Sequence, residues 1–496
     1  MFGEHTFAGF MPGDMIRLLP EIILTIAATL LMVIDPLVNK DEPGRKSSPL
    51  FGHLSIVALA AGIAAAVYAN SQPGLAFGGM LHVDGFATFF RIVVMGVGIL
   101  VILPSYSFLK QQDAETGEFH ALLLFSIAGQ SLMAAANDLI IIFIGLEISS
   151  ISSYVLAGYL RDDRRANEAA LKYFLLGSFA TAFFLYGVAV VYGTTGTIDL
   201  SVVRGMLSAE NAPNGVLIGA AAALMFVGLG FKISAAPFQM WAPDVYQGAP
   251  TPVSAFLSAG PKAAAFAIFL RIFMTAFAPI GRGWEPLVWL SALLSMTIGN
   301  FAALRQTNVK RMLAYSSVAH AGYMLVALTS RSETGTAAVM FYLAAYGFMN
   351  IGAFAVVSHI SGRGEKHTEI DDLAGLAQTQ PFTAAMLTIF LLSFVGVPLT
   401  GGFFGKFYIF KAALDSRLVW LSVLGLLNSA VAAYYYLRLL VVMYMRDPAE
   451  ASTNAAPLTP GFRAALILPA LGTLFLGIFP NWVLDFAGKS SAALVK

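Results

Sequence analysis

The sequence predicts an all-α polytopic membrane protein of about 14 transmembrane helices, and three observations carry that prediction. Of its 496 residues, 58% are hydrophobic and only 11% charged, against roughly 25% charged in a soluble domain. Apolar windows of about 20 residues, the length that crosses a bilayer, recur along the whole chain. Between them no polar stretch is long enough to fold as a soluble domain; the longest, 193–214 and 362–380, are loops of ordinary size.

In chain order the windows fall at 18–37, 51–69, 86–108, 119–136, 138–159, 170–192, 215–247, 252–279, 284–304, 311–328, 335–361, 381–410, 418–445 and 463–485. The opening "MFGEHTFAGFMPGDMIRLLPE" has no Lys or Arg before Arg17, so it lacks the positive start of a secretory signal and leads straight into the first window. Two windows are longer than one upright helix needs, and both contain breakers. Within 215–247, "LGFKISAAPFQMWAPDVYQGAPTP" puts Pro237 five residues after Lys232, and proline cannot continue the hydrogen-bond ladder before it. Within 381–410, "SFVGVPLTGGFFGK" places Pro398, Gly401, Gly402 and Gly405 just ahead of Lys406. Helices 7 and 12 therefore read as discontinuous, and unwound backbone at membrane depth marks a polar cavity. Lying five helices apart, they run in opposite directions, the pattern of an inverted repeat pairing helices 4–8 with helices 9–13. The chain then divides into 1–118 (helices 1–3), 119–279 (the first five-helix unit), 280–445 (the second) and 446–496 (helix 14 and tail).

Basic residues set the orientation. One set of loops, with Lys40, Arg45 and Lys46, then Arg161, Arg164 and Arg165, then Arg305, Lys310 and Arg311 as its main clusters, holds fourteen Lys and Arg; the opposite set holds eight. The richer set is expected on the cytoplasmic side, which places both termini outside.

Composition also excludes functions. A net charge of +1 from 29 basic and 28 acidic side chains leaves no basic field for nucleic acid. Without a single cysteine the chain has no disulfide, no thiolate-ligated iron–sulfur cluster and no thiol nucleophile. No CxxC, glycine-rich nucleotide loop or HExxH motif occurs, so the chemistry belongs inside the membrane.

Charges there are costly, roughly 2.5–3.5 kcal/mol each on insertion scales, and four lysines and one glutamate read as placed at membrane depth. Glu147 sits in "LIIIFIGLEISSISSYVLAGYL", Lys172 in "AALKYFLLGSF", Lys232 in the broken seventh helix, Lys262 in "SAGPKAAAFAIF" and Lys406 in the broken twelfth. Each has a bland alternative: Lys172 snorkels to the interface, Glu147 locks two helices in an ion pair, and the other lysines are static helix glue. The functional alternative is a polar file for protons. Burial weakens a lysine's hold on its proton and a nearby carboxylate restores it, so Glu147 and the lysines together form a switch that neither forms alone. His320, in "MLAYSSVAHAGYMLV", either bridges the two halves of that file, since imidazole exchanges protons near neutrality, or is a structural histidine beside Ser316 and Ser317. Arg271 and Arg438 also lie in apolar runs, as ends of the path or as lipid contacts.

The stretches "GLEISSISSYVLAGYLR", "EAALKYFLLGSFA", "GFKISAAPFQMWAPDVYQGAPTPVSAFLSAGPKAA", "QTNVKRMLAYSSVAHAGYMLV" and "GVPLTGGFFGKFYIF" resemble the antiporter-like membrane subunits of proton-pumping NADH:quinone oxidoreductase, respiratory complex I, and among them subunit N (subunit 2). The resemblance covers about residues 120–440, and the proline-rich block after Lys232 is highly specific to the family. It implies a proton path through Glu147, Lys232, Lys262 and Lys406, with Lys172 matching the sixth-helix lysine of subunit N. Lysine rather than glutamate at 406 departs from subunit M, and the chain ends without the long lateral helix expected of subunit L. The resemblance further implies a non-redox subunit of the bacterial inner membrane that binds no cofactor itself; NADH, FMN, iron–sulfur clusters and quinone are expected in partner subunits, both membrane and peripheral. The competing reading is a stand-alone cation/proton antiporter, or a subunit of a related hydrogenase or antiporter complex. Lysines repel alkali cations, which favours proton transfer.

Overall fold

A computed structural model describes residues 12–38, 49–114, 117–210, 212–454 and 457–495. The first eleven residues and the loop cluster Lys40, Arg45 and Lys46 lie outside the described residues. A short α1 (Pro12–Arg17) precedes α2 (Leu19–Val38), α3 (Leu50–Ala69), α4 (Gly85–Gln112), α5 (Gly117–Ala135), α6 (Leu139–Ala157) and α7 (Arg164–Thr195). Next come a short α8 (Leu200–Ser208), α9 (Gly215–Lys232), α10 (Trp241–Gly248), α11 (Thr251–Arg271), α12 (Gly281–Leu304), α13 (Val309–Thr329) and α14 (Glu333–Ser361). The chain continues through α15 (Leu376–Thr379), α16 (Pro381–Val395), α17 (Gly401–Asp415), α18 (Val419–Met445), α19 (Glu450–Asn454), α20 (Pro460–Ile478) and α21 (Asn481–Val495).

Thirteen helical segments among the described residues are long and apolar enough to cross a membrane, and the shorter apolar α16 supplies the start of a fourteenth crossing. Each predicted window corresponds to one of these crossings. Both predicted breaks are present: α9 gives way to α10 across residues 233–240, and α16 to α17 across residues 396–400. Three features depart from expectation. The loop between α3 and α4 holds a two-stranded hairpin, Gly74–Ala76 paired antiparallel with Leu81–Val83. The 193–214 loop contains α8, started by the Asp199 carboxylate accepting from Ser201 and Val202 N–H groups. The last window, expected to run on to 485, stops at Ile478, and Pro480 separates it from a further helix, α21, because proline removes a donor from the ladder.

Helix starts follow the sequence. Asp138 accepts from the N–H groups of Ile140 at 2.8 Å and Ile141 at 3.1 Å and so caps α6; Asn308 does the same for α13 through Arg311 N–H. Side-chain acceptors satisfy donors that a helix N-terminus leaves orphaned. Every residue of α11 is buried, and α13 and α14 are nearly so. These three form the centre. The outer helices turn large apolar side chains such as Ile151, Phe179, Trp420 and Leu427 outward, as lipid contact demands.

The two halves repeat at the level of backbone hydrogen bonds. In the first, Leu139 N–H donates to Ile198 O and Leu200 N–H to Asn137 O; in the second, Val309 N–H donates to Thr368 O and Ile370 N–H to Thr307 O. Isolated bridges Asp138↔Asp199 and Asn308↔Glu369 mark the same correspondence. Gly129 of α5 lies against Gly145 O and Ser149 N of α6, and Gly299 of α12 lies against Tyr315 O and Ala319 N of α13. All of these positions keep one spacing between the halves, as an inverted repeat requires.

Candidate functional site

Both breaks place an ammonium group at the C-terminal end of a half-helix, where the helix dipole and unpaired carbonyls favour positive charge. Lys232 is the last residue of α9. Its Nζ donates to Ser150 Oγ of α6 at 2.7 Å and lies 5.8 Å from the centre of the Tyr173 ring. Lys406 comes from the second turn of α17 and reaches back across the other break. There it donates to Phe394 O at 2.8 Å and Val395 O at 3.1 Å, the last carbonyls of α16, and to Ser429 Oγ of α18 at 2.8 Å.

The unwound backbone is itself accounted for. Ala236 N–H donates to Ser295 Oγ, Ser291 Oγ donates to Ala236 O, and Trp241 Nε1 donates to Phe231 O. At the second break Gly402 N–H donates to Ser393 Oγ. Buried peptide groups need such partners, and here serines of α12 and α16 and the Trp241 indole supply them.

Between the breaks lie Lys262 and His320. Lys262, fully buried in α11, donates to Ser317 O at 2.8 Å and makes a close contact with Ser317 Oγ of α13. The Tyr346 ring sits 5.5 Å away. His320, one turn beyond Ser317 on α13, has its Nδ1 2.5 Å from the Tyr342 hydroxyl and its Nε2 3.1 Å from the Tyr436 hydroxyl. Tyr436 in turn bonds Ser316. Tyr323 connects onward, lying under the Lys406 ammonium at 5.0 Å. Phenols and hydroxyls thus line the interval between Lys262, His320 and Lys406, with the His320 ring edge-on to Tyr323. Buried Tyr246, facing Ser234 and Ser317, and buried Tyr346, facing Ser317, accompany this file.

Glu147 is half-buried on α6 and, among the described residues, makes no ion pair and leaves its enclosed Oε1 without a hydrogen-bond partner. It stands one turn before Ser150, the acceptor for Lys232, on the same helix. Lys172 is set apart. It is half exposed and bonds Glu168 at 2.7 Å, one turn away on α7, and Asp244 at 2.9 Å, with Arg311 on the other oxygen of Asp244 at 2.6 Å. It lies near one end of its span, where a charged cleft takes the ammonium outward. Arg271 is not a lipid contact: it is buried and holds Asp84 at 2.9 Å and Ala134 O at 3.0 Å. Arg438 donates to Gln306 O.

Sequence reading missed the neutral half of the site. Ser150, Ser317 and Ser429 accept from the three lysines, Tyr342 and Tyr436 hold His320, and Tyr323 lies against both His320 and Lys406. Helical spacing carried part of that signal, since Ser317 lies one turn from His320. The pairing of Asp244 with Lys172 and Arg311 joins three helices and left no mark in any one of them.

Two broken helices enclosing a buried file of titratable groups define a class, the ion-translocating membrane proteins. A family profile described as "NADH:quinone oxidoreductase/Mrp antiporter, TM" matches residues 136–432. NADH-quinone oxidoreductase subunit N 1 of Solibacter usitatus is 71% identical over 98% of this chain and 99% of its own length; subunit N 2 of Koribacter versatilis is 48% identical over 97% and 98%. The chain belongs to the NADH:quinone oxidoreductase/Mrp antiporter family and, within it, to the subunit N group. A chain of respiratory complex I from Thermus thermophilus superposes with a TM-score of 0.78 at 35% identity, covering 95% of this chain and 99% of that one. A chain of the Mrp complex from Dietzia shares the fold alone, with a TM-score of 0.83 at 20% identity over 98% of each chain.

Proposed function

We propose that this chain is the proton-translocating, non-redox subunit N of a bacterial NADH:quinone oxidoreductase. It moves protons through Glu147, Lys232, Lys262, His320 and Lys406 while partner subunits bind NADH and quinone and carry electrons. The observation that supports this most directly is the file itself, with a lysine at each helix break and a lysine–histidine pair between them. A proton crosses such a file by successive transfer among ammonium, imidazole and hydroxyl groups, and neither a cage of oxygens nor a cofactor is needed. Glu147 stabilises the Lys232 ammonium when near and releases it when electrostatically drawn away. Lys172, in its charged cleft, belongs to the approach rather than to the file.

In this reading residues 119–279 and 280–445 each contribute half of the path, the basic loops face the cytoplasm, both termini lie on the periplasmic side of the inner membrane, and further membrane and peripheral subunits assemble on the chain. The test is proton pumping by vesicles carrying Lys232→Ala, with NADH-driven quinone reduction followed in parallel. Loss of both in an assembled complex is expected; unchanged pumping and turnover would leave Lys232 as helix glue.

A further inference from the structure

The charged cleft beside Lys172 has a floor that leads to the file. A cavity of about 370 Å³ is lined by Lys172, Asp244, Lys310, Arg311, Glu365 and Glu369, among others. At its base Glu365 and Lys310 are both buried. Lys310 Nζ donates to Glu365 Oε2 at 3.2 Å and to Ala249 O, at the end of α10, at 2.7 Å. The other carboxylate oxygen accepts from Thr251 N–H at 2.9 Å and contacts the Thr251 hydroxyl, at the first residue of α11.

Glu365 is held there against its own backbone preference. Its φ is 49°, in a turn where Gly362 and Gly364 are also left-handed, a conformation that non-glycine residues adopt only when surroundings impose it. The turn is stapled from outside: Gln112 bonds Gly362 O and Gly364 N–H, and Arg165 donates to Gly364 O.

From this pair two helix faces run inward to the same lysine. On α11, Thr251, Ser254, Ser258 and Lys262 recur at intervals of three or four residues and share one face; all four are fully buried. Ser258 also accepts from Asn350. On α13, Lys310 and Ser317 stand two turns apart on one face, and Ser317 is the acceptor for Lys262.

We propose that Glu365 and Lys310 load this chain's file: Glu365 takes protons from water in the cleft, and the Thr251–Ser254–Ser258 face of α11 carries them to Lys262. This rests on the proton-translocating reading above. The step balances as proton transfer alone. The carboxylate gains a proton from the cleft, the Thr251 hydroxyl accepts it and releases its own, water bridges each turn of about 5 Å, and a neutral Lys262 amine ends as ammonium. Glu365 returns to carboxylate. The charged groups facing it are Lys310 of α13, Arg165 and Asp163 at the start of α7, Lys366 of its own loop, and Glu168, Lys172, Asp244, Arg311 and Glu369 around the cleft.

The rival account is a clamp holding α11, α13 and the loop together. A clamp made neutral on both sides is commonly tolerated; a relay is not. Vesicles bearing the assembled complex are compared with Glu365→Gln and with the double variant Glu365→Met/Lys310→Met. The relay predicts a loss of pumping of at least about tenfold in both, steeper as pH rises on the basic-loop side, where protons become scarce. Pumping restored by the double variant, or a single variant with a parental pH profile, overturns it. Where neither variant assembles, Ser258→Ala decides: reduced pumping in an intact complex supports the relay, and parental pumping at every pH overturns it. Failure of the underlying reading shows separately, as pumping that survives Lys232→Ala.

Discussion

The buried cations of this protein fall into two kinds, told apart by what they touch. Arg91 bonds Glu21 at 2.8 Å, Arg271 bonds Asp84, and Lys310 bonds Glu365. The three file lysines donate, among the described residues, to hydroxyls and carbonyls and face tyrosine rings, with no carboxylate bonded. A carboxylate pins a proton on its partner, whereas a serine hydroxyl accepts from an ammonium and donates to an amine, satisfying both states. Ser150→Asp is therefore expected to retain assembly and lose proton pumping, because Lys232 then holds its proton; pumping at parental rate would show that the neutral partner is incidental. Arg271→Met has the opposite profile. It strands Asp84 in the interior, a cost of about 3–5 kcal/mol, and lowers the thermal midpoint of the complex rather than its coupling ratio; an unchanged midpoint would show that Asp84 is relieved by solvent.

Among elements, the breaks were legible and their chemistry was not. Pro237, Pro398 and the glycines before Lys406 have a local effect on the backbone, so sequence placed both interruptions within a few residues. Which serine receives each ammonium depends on the packing of α6, α13 and α18, which no local pattern records. Lys172 shows the same limit. Its position near one end of α7 was visible, but Asp244 and Arg311, which draw it into the cleft, come from helices distant in sequence. Close helix contacts carry a prediction of their own. A Cβ on Gly129 meets Gly145 O at 2.6 Å and Ser149 N at 2.7 Å, backbone atoms that cannot step aside. Gly129→Val should force α5 from α6 at a cost of about 1–3 kcal/mol, read as a lower midpoint and weaker pumping through a displaced Glu147. Parental behaviour would mean that the pair slides freely.

At the scale of the molecule, hydropathy alone predicted the number of crossings because a bilayer forces every peptide group into helices. The hairpin and α8 escaped notice since they are short and lie outside the apolar windows, and the start of α21 was merged into the last window, whose break at Pro480 went unread. The repeat was inferred from the parity of two breaks. Its detailed form, with matching backbone bonds at Leu139 and Val309, needed coordinates.

That matching has a practical consequence. Positions from 129 to 200 can be laid over those from 299 to 370 with no net insertion or deletion, although the side chains have diverged: Ser150 falls on His320, and Glu147 on Ser317. The molecule therefore contains its own reference state. Any substitution made at Gly129 has a twin at Gly299, in the same membrane, the same preparation and the same assembly, differing only in what the two halves have become.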